Sequence, residues 1–339
     1  MDAEDVYDLL RDVEDPDLGG DIVDGNLVTD VTVEGDVARV TLALEAPYSP
    51  AETAIAGRVR ETLRGAGLDP DISAAVESGG EVLPRVQNVV AVASGKGGVG
   101  KSTVAVNLAA GLADRGARVG LFDADVYGPN VPRMVSADER PRATESETII
   151  PPERYGMKLM SMAFMVGEDD PVIWRGPMVH KVLTQLVEDV EWGALDYLVV
   201  DLPPGTGDTQ LTLLQTVPLT GAVIVTTPQQ VAVDDAGKAL EMFGRHDTNV
   251  LGVVENMSTF VCPDCGGEHD VFGAGGGEAF AAEADMPFLG TIPLDPSVRA
   301  AGDGGDPVVL GEGDVAEAFQ DTAGRVADMV GIVNRRDRR

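Results

Sequence analysis

The octapeptide Gly95-Lys96-Gly97-Gly98-Val99-Gly100-Lys101-Ser102 fits the spacing G-x-x-x-x-G-K-[ST]. Glycines at these places let backbone N–H groups curl round a polyphosphate, and a following helix N-terminus adds partial positive charge. Lys101 is placed to reach the β- and γ-phosphates, and the Ser102 hydroxyl, followed by Thr103, to ligate Mg²⁺. Two apolar runs end in carboxylates: Leu121-Phe122-Asp123-Ala124-Asp125 and Tyr197-Leu198-Val199-Val200-Asp201. Parallel sheets bind ligands at strand C-termini. Asp201 is therefore expected to hold Mg²⁺ through water, and Asp125 to position an attacking water. The glycine-bearing turn at 205–207 can read a γ-phosphate through its backbone.

The two cysteines stand as Cys262-Pro263-Asp264-Cys265. Two thiols rule out a disulfide-scaffold protein. A redox pair sits more typically at a helix N-terminus beside a βαβ unit, whereas this pair follows a late strand and Glu255-Asn256-Met257-Ser258. Structural zinc is tetrahedral, and Cys262, Cys265 and His269 leave a single chain one ligand short. Zinc shared between two chains is a further reading. An iron–sulfur cluster commonly takes four thiolates, which a symmetric dimer supplies from two per chain.

The elements that must carry these residues fall into two parts. In residues 1–83, Val6, Leu9, Leu10 and Val13 recur at helical spacing. Alternating stretches at 27–34 and 37–44 around Gly35-Asp36 predict a hairpin. A helix is expected at 51–64 and a strand at 72–77, with Ser78-Gly79-Gly80 as an exit linker. This is a small α+β domain. Residues 86–334 alternate apolar strands (88–93, 118–123, 197–201, 221–226, 250–255) with helices (102–115, 208–216, 232–243). Uniformly apolar strands between helices imply an α/β fold with a mostly parallel, doubly wound sheet. The basic stretch 335–339 is expected to fray.

Composition narrows the partners. The 339 residues carry 57 Asp and Glu against 25 Lys and Arg, a formal charge of −32. Phosphate neutralisation needs a basic face, so nucleic acid is an unexpected partner, as is an anionic membrane surface. Asp outnumbers Glu 35 to 22, and Arg outnumbers Lys 20 to 5. Such a surface suits a cytoplasmic protein of a high-salt organism, or an acidic mesophilic one. The acidic start Met1-Asp2-Ala3-Glu4-Asp5 is unlike a secretory signal, and no apolar run reaches bilayer-spanning length.

Lys96 is a second, earlier lysine in the phosphate loop. It resembles the deviant Walker A form K-G-G-V-G-K-[ST], whose early lysine reaches the nucleotide of a partner subunit. That likeness implies a nucleotide-sandwich homodimer. More widely, the chain resembles the Mrp/ApbC/Nbp group of P-loop ATPases, carriers of iron–sulfur clusters. Beyond the loop and Thr103, the likeness runs through Asp123-Ala124-Asp125-Val126-Tyr127-Gly128-Pro129-Asn130 and Trp174-Arg175-Gly176-Pro177-Met178. It continues through Asp201-Leu202-Pro203-Pro204-Gly205-Thr206-Gly207-Asp208, Glu255-Asn256-Met257-Ser258, Cys262-Pro263-Asp264-Cys265-Gly266-Gly267 and Pro287-Phe288-Leu289-Gly290-Thr291-Ile292-Pro293-Leu294-Asp295.

The resemblance implies ATP and Mg²⁺ at Lys101, Ser102 and Asp201, with Lys96 closing the site in trans. It implies adenine recognition by Asn256, a bridging [4Fe–4S] cluster on Cys262 and Cys265 of a homodimer, and apoprotein recipients. A MinD/ParA-like positioning ATPase and a zinc-stapled P-loop ATPase are the alternatives. Residues 1–83 resemble the PaaD/SufT-like domain of iron–sulfur assembly proteins through Val13-Glu14-Asp15-Pro16-Asp17 and Asp21-Ile22-Val23. Where many such domains carry a cysteine, this chain has Ala46-Pro47-Tyr48-Ser49-Pro50, so docking is the expected role.

Overall fold

The computed structural model describes residues 1–75, 82–145, 148–165, 176–262 and 264–338. The expected linker at 78–80, the end of the strand expected at 72–77, Trp174, Arg175 and Pro263 lie outside them. Two compact units emerge: 1–78 with 327–339, and 79–326.

In the first unit, Asp2 and Asp5 cap α1 (Ala3–Leu10) reciprocally, each carboxylate accepting the other's backbone N–H. Strands β1 (Val28–Glu34) and β2 (Val37–Leu42) form the expected antiparallel hairpin. The third strand, β3 (Asp69–Ala74), starts earlier than its apolar pattern suggests and pairs parallel to β2. Ser49 caps α2 (Pro50–Gly65), with Pro50 preset in its first turn. Ile55, Val59 and Leu63 line its buried face at four-residue steps, beside Val6, Leu10, Val40 and Leu42.

The C-terminal end departs from expectation. The last helix, α10 (Asp314–Asp337), continues into the stretch expected to fray, and the Arg335 side chain is fully buried. Its guanidinium donates to Asp15 Oδ2 at 3.1 Å, Asp17 Oδ2 at 2.6 Å and Glu52 Oε1 at 3.0 Å. Burial pushes the Asp17 and Glu52 carboxyls up, and Arg335 pulls both back. Asp328 accepts from the Ser49 hydroxyl at 2.6 Å and Ala51 N at 2.8 Å. The hydroxyl in the stretch that lacks a cysteine is thus committed to the fold. Removing one partner of a buried ionic cluster typically costs about 3–5 kcal/mol. Arg335→Ala should destabilise the first unit by that order, read as a fall in the urea midpoint. A change within the range of surface substitutions would show that the cluster contributes little.

The second unit is built on eight strands in the order β15-β12-β11-β4-β10-β5-β9-β8. These are β4 (Val86–Ala93), β5 (Val119–Asp123), β8 (Glu153–Arg154), β9 (Met157–Ser161), β10 (Leu195–Asp201), β11 (Gly221–Thr226), β12 (Val250–Asn256) and β15 (Phe288–Ile292). Seven run parallel, and β8 closes one edge antiparallel. Short ladders join β6 (Arg142–Ala143) to β7 (Ile149–Ile150) and β13 (Phe260–Val261) to β14 (Glu268–His269). The helices are α3 (Lys101–Asp114), α4 (Val131–Met134), α5 (Gly176–Glu188), α6 (Asp208–Thr216), α7 (Gln230–Arg245), α8 (Gly276–Glu283) and α9 (Pro296–Gly304).

Every residue of β5, β10 and β11 is buried, so both faces of the sheet centre are covered. Each fully buried Val or Leu contributes roughly 1.5–3 kcal/mol of transfer free energy. Burial therefore explains why these strands read as unbroken apolar runs. Among the described residues no helix is long and apolar enough to cross a membrane.

Candidate nucleotide site and cysteine hairpin

The phosphate loop leaves the C-terminal end of the central strand β4 and opens α3. Two glycines are required by contact. A Cβ at Gly95 would lie 2.0 Å from the backbone oxygen of Asp235 in α7. At Gly100, where φ is +83°, it would lie 2.1 Å from Asn256 Nδ2. Gly100 also provides no side-chain cap for α3, leaving the helix's first N–H groups available to an anion.

Lys96, Gly97, Gly98, Gly100, Lys101, Ser102, Thr103, Asp125 and Asn256 line one cavity of about 570 Å³, together with Met257, Pro293, Leu294 and Arg299. That volume falls within the usual range for small-molecule sites. Gly95 packs on α7 and Val99 is buried, contributing its carbonyl rather than its side chain.

Beneath the loop, Lys101 Nζ lies 2.6 Å from Asp201 Oδ1 and 3.3 Å from Ser102 Oγ. Lys101 is 6% exposed and Asp201 fully buried. Burial pushes the Asp201 carboxyl up, and Lys101 holds it back. Asp201 Oδ2 has no hydrogen-bond partner among the described residues. A buried, unengaged carboxylate oxygen beside a serine hydroxyl is a hard-donor set that fits Mg²⁺.

Asp123 is the residue that motif reading passed over. It pairs in register with Asp201 across β5 and β10 and is fully buried. It accepts from Ser161 Oγ at 2.9 Å and Val131 N at 3.2 Å. Burial, reinforced by the Asp201 charge, pushes its carboxyl up to about 7. The native chain then holds a proton that the unfolded chain releases at about pH 4. Stability present at low pH is lost as pH rises through the raised native value. Asp123→Asn should therefore flatten the decline in nucleotide-free stability between about pH 4 and pH 7, read by urea denaturation across that window. Parallel curves for wild type and variant would contradict the assignment.

Asp125 is 8% exposed and lines the cavity as expected, yet its Oδ1 also accepts from Tyr127 N and Gly128 N, each at 3.1 Å. It both shapes its own turn and faces the site. Asn256 closes β12, where its Nδ2 donates to Val99 O at 2.8 Å. The 205–207 turn is tied to the loop by Gly205 N donating to Ser94 O at 2.9 Å.

The cysteines lie outside this cavity lining, on the β13–β14 hairpin. Cys262 N donates to Gly267 O at 2.9 Å, and Gly266 N to Cys262 O at 2.8 Å. Cys262 is half-buried and Cys265 exposed; both are free thiols. The backbone amides of Asp264 and Cys265, then the Cys265 thiol, hydrogen-bond the Cys262 sulfur and lower its pKa. A lowered pKa favours the thiolate, which is the form of cysteine that ligates metals. Among the described residues no group of three His, Cys, Asp or Glu side chains is arranged to hold a metal ion.

The model of the NUBPL iron-transfer P-loop NTPase family matches residues 85–327. This chain belongs to that family. A second model, of iron–sulfur cluster assembly proteins, matches residues 3–76. An iron–sulfur cluster carrier protein of Synechocystis is 45% identical, over 94% of this chain and 94% of its own. A nucleotide-binding protein of Archaeoglobus fulgidus, solved with ADP, is 37% identical with a TM-score of 0.61, over 70% of this chain and 94% of that one. The cell-division ATPase MinD of Pyrococcus furiosus is 22% identical with a TM-score of 0.55, over 71% of this chain and 98% of that one, a likeness of fold alone. The expected α/β P-loop fold is thus established. So is membership of an iron-transfer NTPase family.

Proposed function

We propose that this P-loop NTPase binds and hydrolyses ATP and, as a homodimer, carries a bridging [4Fe–4S] cluster to recipient apoproteins. The observation that carries this reading is the Cys262–Cys265 hairpin. Its two thiols are side by side, and backbone amides stabilise the thiolate form of Cys262. A four-thiolate set needs a second copy of the chain. The names of the matched family and of the Synechocystis relative support iron–sulfur cargo. The ADP in the Archaeoglobus relative supports a nucleotide at the phosphate loop.

In this reading Lys101 exchanges its Asp201 carboxylate for the β- and γ-phosphates. Ser102 and Asp201 would hold Mg²⁺, which neutralises charge developing between those phosphates. Asp125 orients the attacking water, Asn256 meets adenine through its amide, and Lys96 closes the site of the partner copy. The 1–78 segment, whose loop serine is tied into the fold, serves docking rather than thiol chemistry.

Metal and sulfide analysis with the visible spectrum of anaerobically purified protein tests the reading. Iron and acid-labile sulfide in a 1:1 ratio, at four irons per dimer, are expected. Stoichiometric zinc without iron would overturn it. Co-sedimentation with liposomes and DNA tests the positioning-ATPase alternative, and neither should carry the protein down.

A further inference from the structure

The end of β12 touches both sites at once. Asn256, 5% exposed, donates to Val99 O in the phosphate loop at 2.8 Å, and the Gly100 backbone packs against the same amide. Its neighbour Glu255 is 1% exposed and faces another element. The Glu255 carboxylate accepts from Gly277 N at 2.6 Å and Gly275 N at 3.3 Å. It thereby caps α8, whose own N-cap, Gly275, offers no side chain. Gly277 fits there because a Cβ would lie 2.9 Å from Glu255 Cβ.

The segment between these anchors carries the cysteines. It leaves β12 through Met257, held at φ +54°, a costly conformation for a side chain without β-turn chemistry. Its outgoing strand is held by Ser258 N and Oγ, which both donate to Ile292 O at 3.1 Å. Thr259 Oγ1 then donates to Asp270 Oδ1 at 3.1 Å, joining the two arms of the hairpin. The hairpin is thus suspended at one end from β12 and β15, and at the other from the Glu255–α8 cap.

We propose that Glu255 is a positioning residue that couples the phosphate loop to the cysteine hairpin, so that nucleotide occupancy changes the accessibility of Cys262 and Cys265. A loop that closes round phosphates moves Val99 and Gly100, and both bear on Asn256. Asn256 and Glu255 are consecutive in one strand, laddered to Ile292 and Thr291 of β15. Their displacement reaches α8 through a buried carboxylate, and through α8 the returning arm of the hairpin. Linkage makes the effect mutual: metal held on the hairpin changes nucleotide affinity by the same factor. The inference rests on nucleotide binding under the proposed function, but needs no cluster.

The test uses the metal-free, reduced full-length chain. Iodoacetamide alkylation of Cys262 and Cys265 is followed by mass spectrometry, with and without a non-hydrolysable Mg-ATP analogue, and nucleotide binding by calorimetry. Wild-type rates should differ by about fivefold or more between the two states, the lower end of usual allosteric couplings. In Glu255→Gln, which loses one acceptor oxygen, the two rates should converge while nucleotide affinity stays within about twofold. A merely structural role would raise both rates and leave their ratio unchanged, which overturns the proposal. So does a wild-type chain that binds nucleotide with no change in rate. If Glu255→Gln does not fold, wild-type hydrogen exchange decides: the 272–280 amides must change protection on nucleotide binding, and unchanged protection overturns the proposal. A chain that binds no nucleotide sinks the proposed function together with this inference. Coupling in a chain that never holds iron sinks only the carrier reading.

Discussion

Lys101→Ala will sharply weaken Mg-ATP binding and destabilise the nucleotide-free chain. Lys101 Nζ is the one cation within hydrogen-bond reach of Asp201 among the described residues, at 2.6 Å, and both side chains are buried. Alanine leaves a buried carboxylate without its cation, with the Ser102 hydroxyl as its remaining side-chain support and Oδ2 already without a partner among the described residues. Truncating one member of a buried charge pair costs about 2–5 kcal/mol, and the phosphates lose their ammonium as well. Mg-ATP affinity should therefore fall roughly 30-fold or more, measured by calorimetry. Lys96 is half-buried and lines the same cavity. Lys96→Ala should spare most nucleotide binding yet lose hydrolysis and nucleotide-dependent association, followed by phosphate release and light scattering. Equal loss of binding in the two variants would place Lys96 in its own chain's site and remove the argument for a shared one.

Cys262→Ala, and separately Cys265→Ala, will drop iron and acid-labile sulfide to background while Mg-ATP affinity holds. Each substitution leaves a dimer with two thiolates where a bridging cluster needs four. The two positions are not equivalent in detail. Cys262 receives backbone N–H groups on its sulfur, whereas Cys265 is exposed. In the proposed bridge, loss of Cys262 would remove the ligand whose thiolate form the loop favours, and loss of Cys265 would remove one of its supporting hydrogen bonds as well as a second ligand. The hairpin backbone, closed by Cys262 N to Gly267 O and Gly266 N to Cys262 O, needs neither thiol, so the fold should survive both substitutions. A full complement of iron and sulfide in either variant would exclude the four-thiolate bridge.

Much of the site was legible because its chemistry is written in contiguous residues. A phosphate loop needs glycines, a lysine and a hydroxyl at set spacing within one turn of chain, and 95–102 supplies them. Strands covered on both faces must be apolar throughout, so β4, β5, β10, β11 and β12 announce themselves as short Val-, Ile- and Leu-rich runs. The short edge strand β8, its neighbour β9 and the late strand β15 escaped that reading. Two residues carry no period, and β15 has a glycine at its centre.

The contacts that decide how the parts work join residues far apart in sequence. Sequence alone determined the loop, the carboxylate strand ends, the C-x-x-C pair and the parallel α/β plan, because each is a local pattern with a local physical cause. Only tertiary structure paired Lys101 with Asp201, and set Asp123 opposite Asp201 so that burial and like charge raise its carboxyl. Only it turned a basic, apparently solvated tail into a helix end whose Arg335 is fully enclosed by three carboxylates. And only it showed Glu255, unremarkable beside Asn256 in the chain, capping a helix twenty residues on. Charge, burial and hydrogen bonding depend on what the fold brings within a few ångström, and the strand order that does so is a property of the whole sheet.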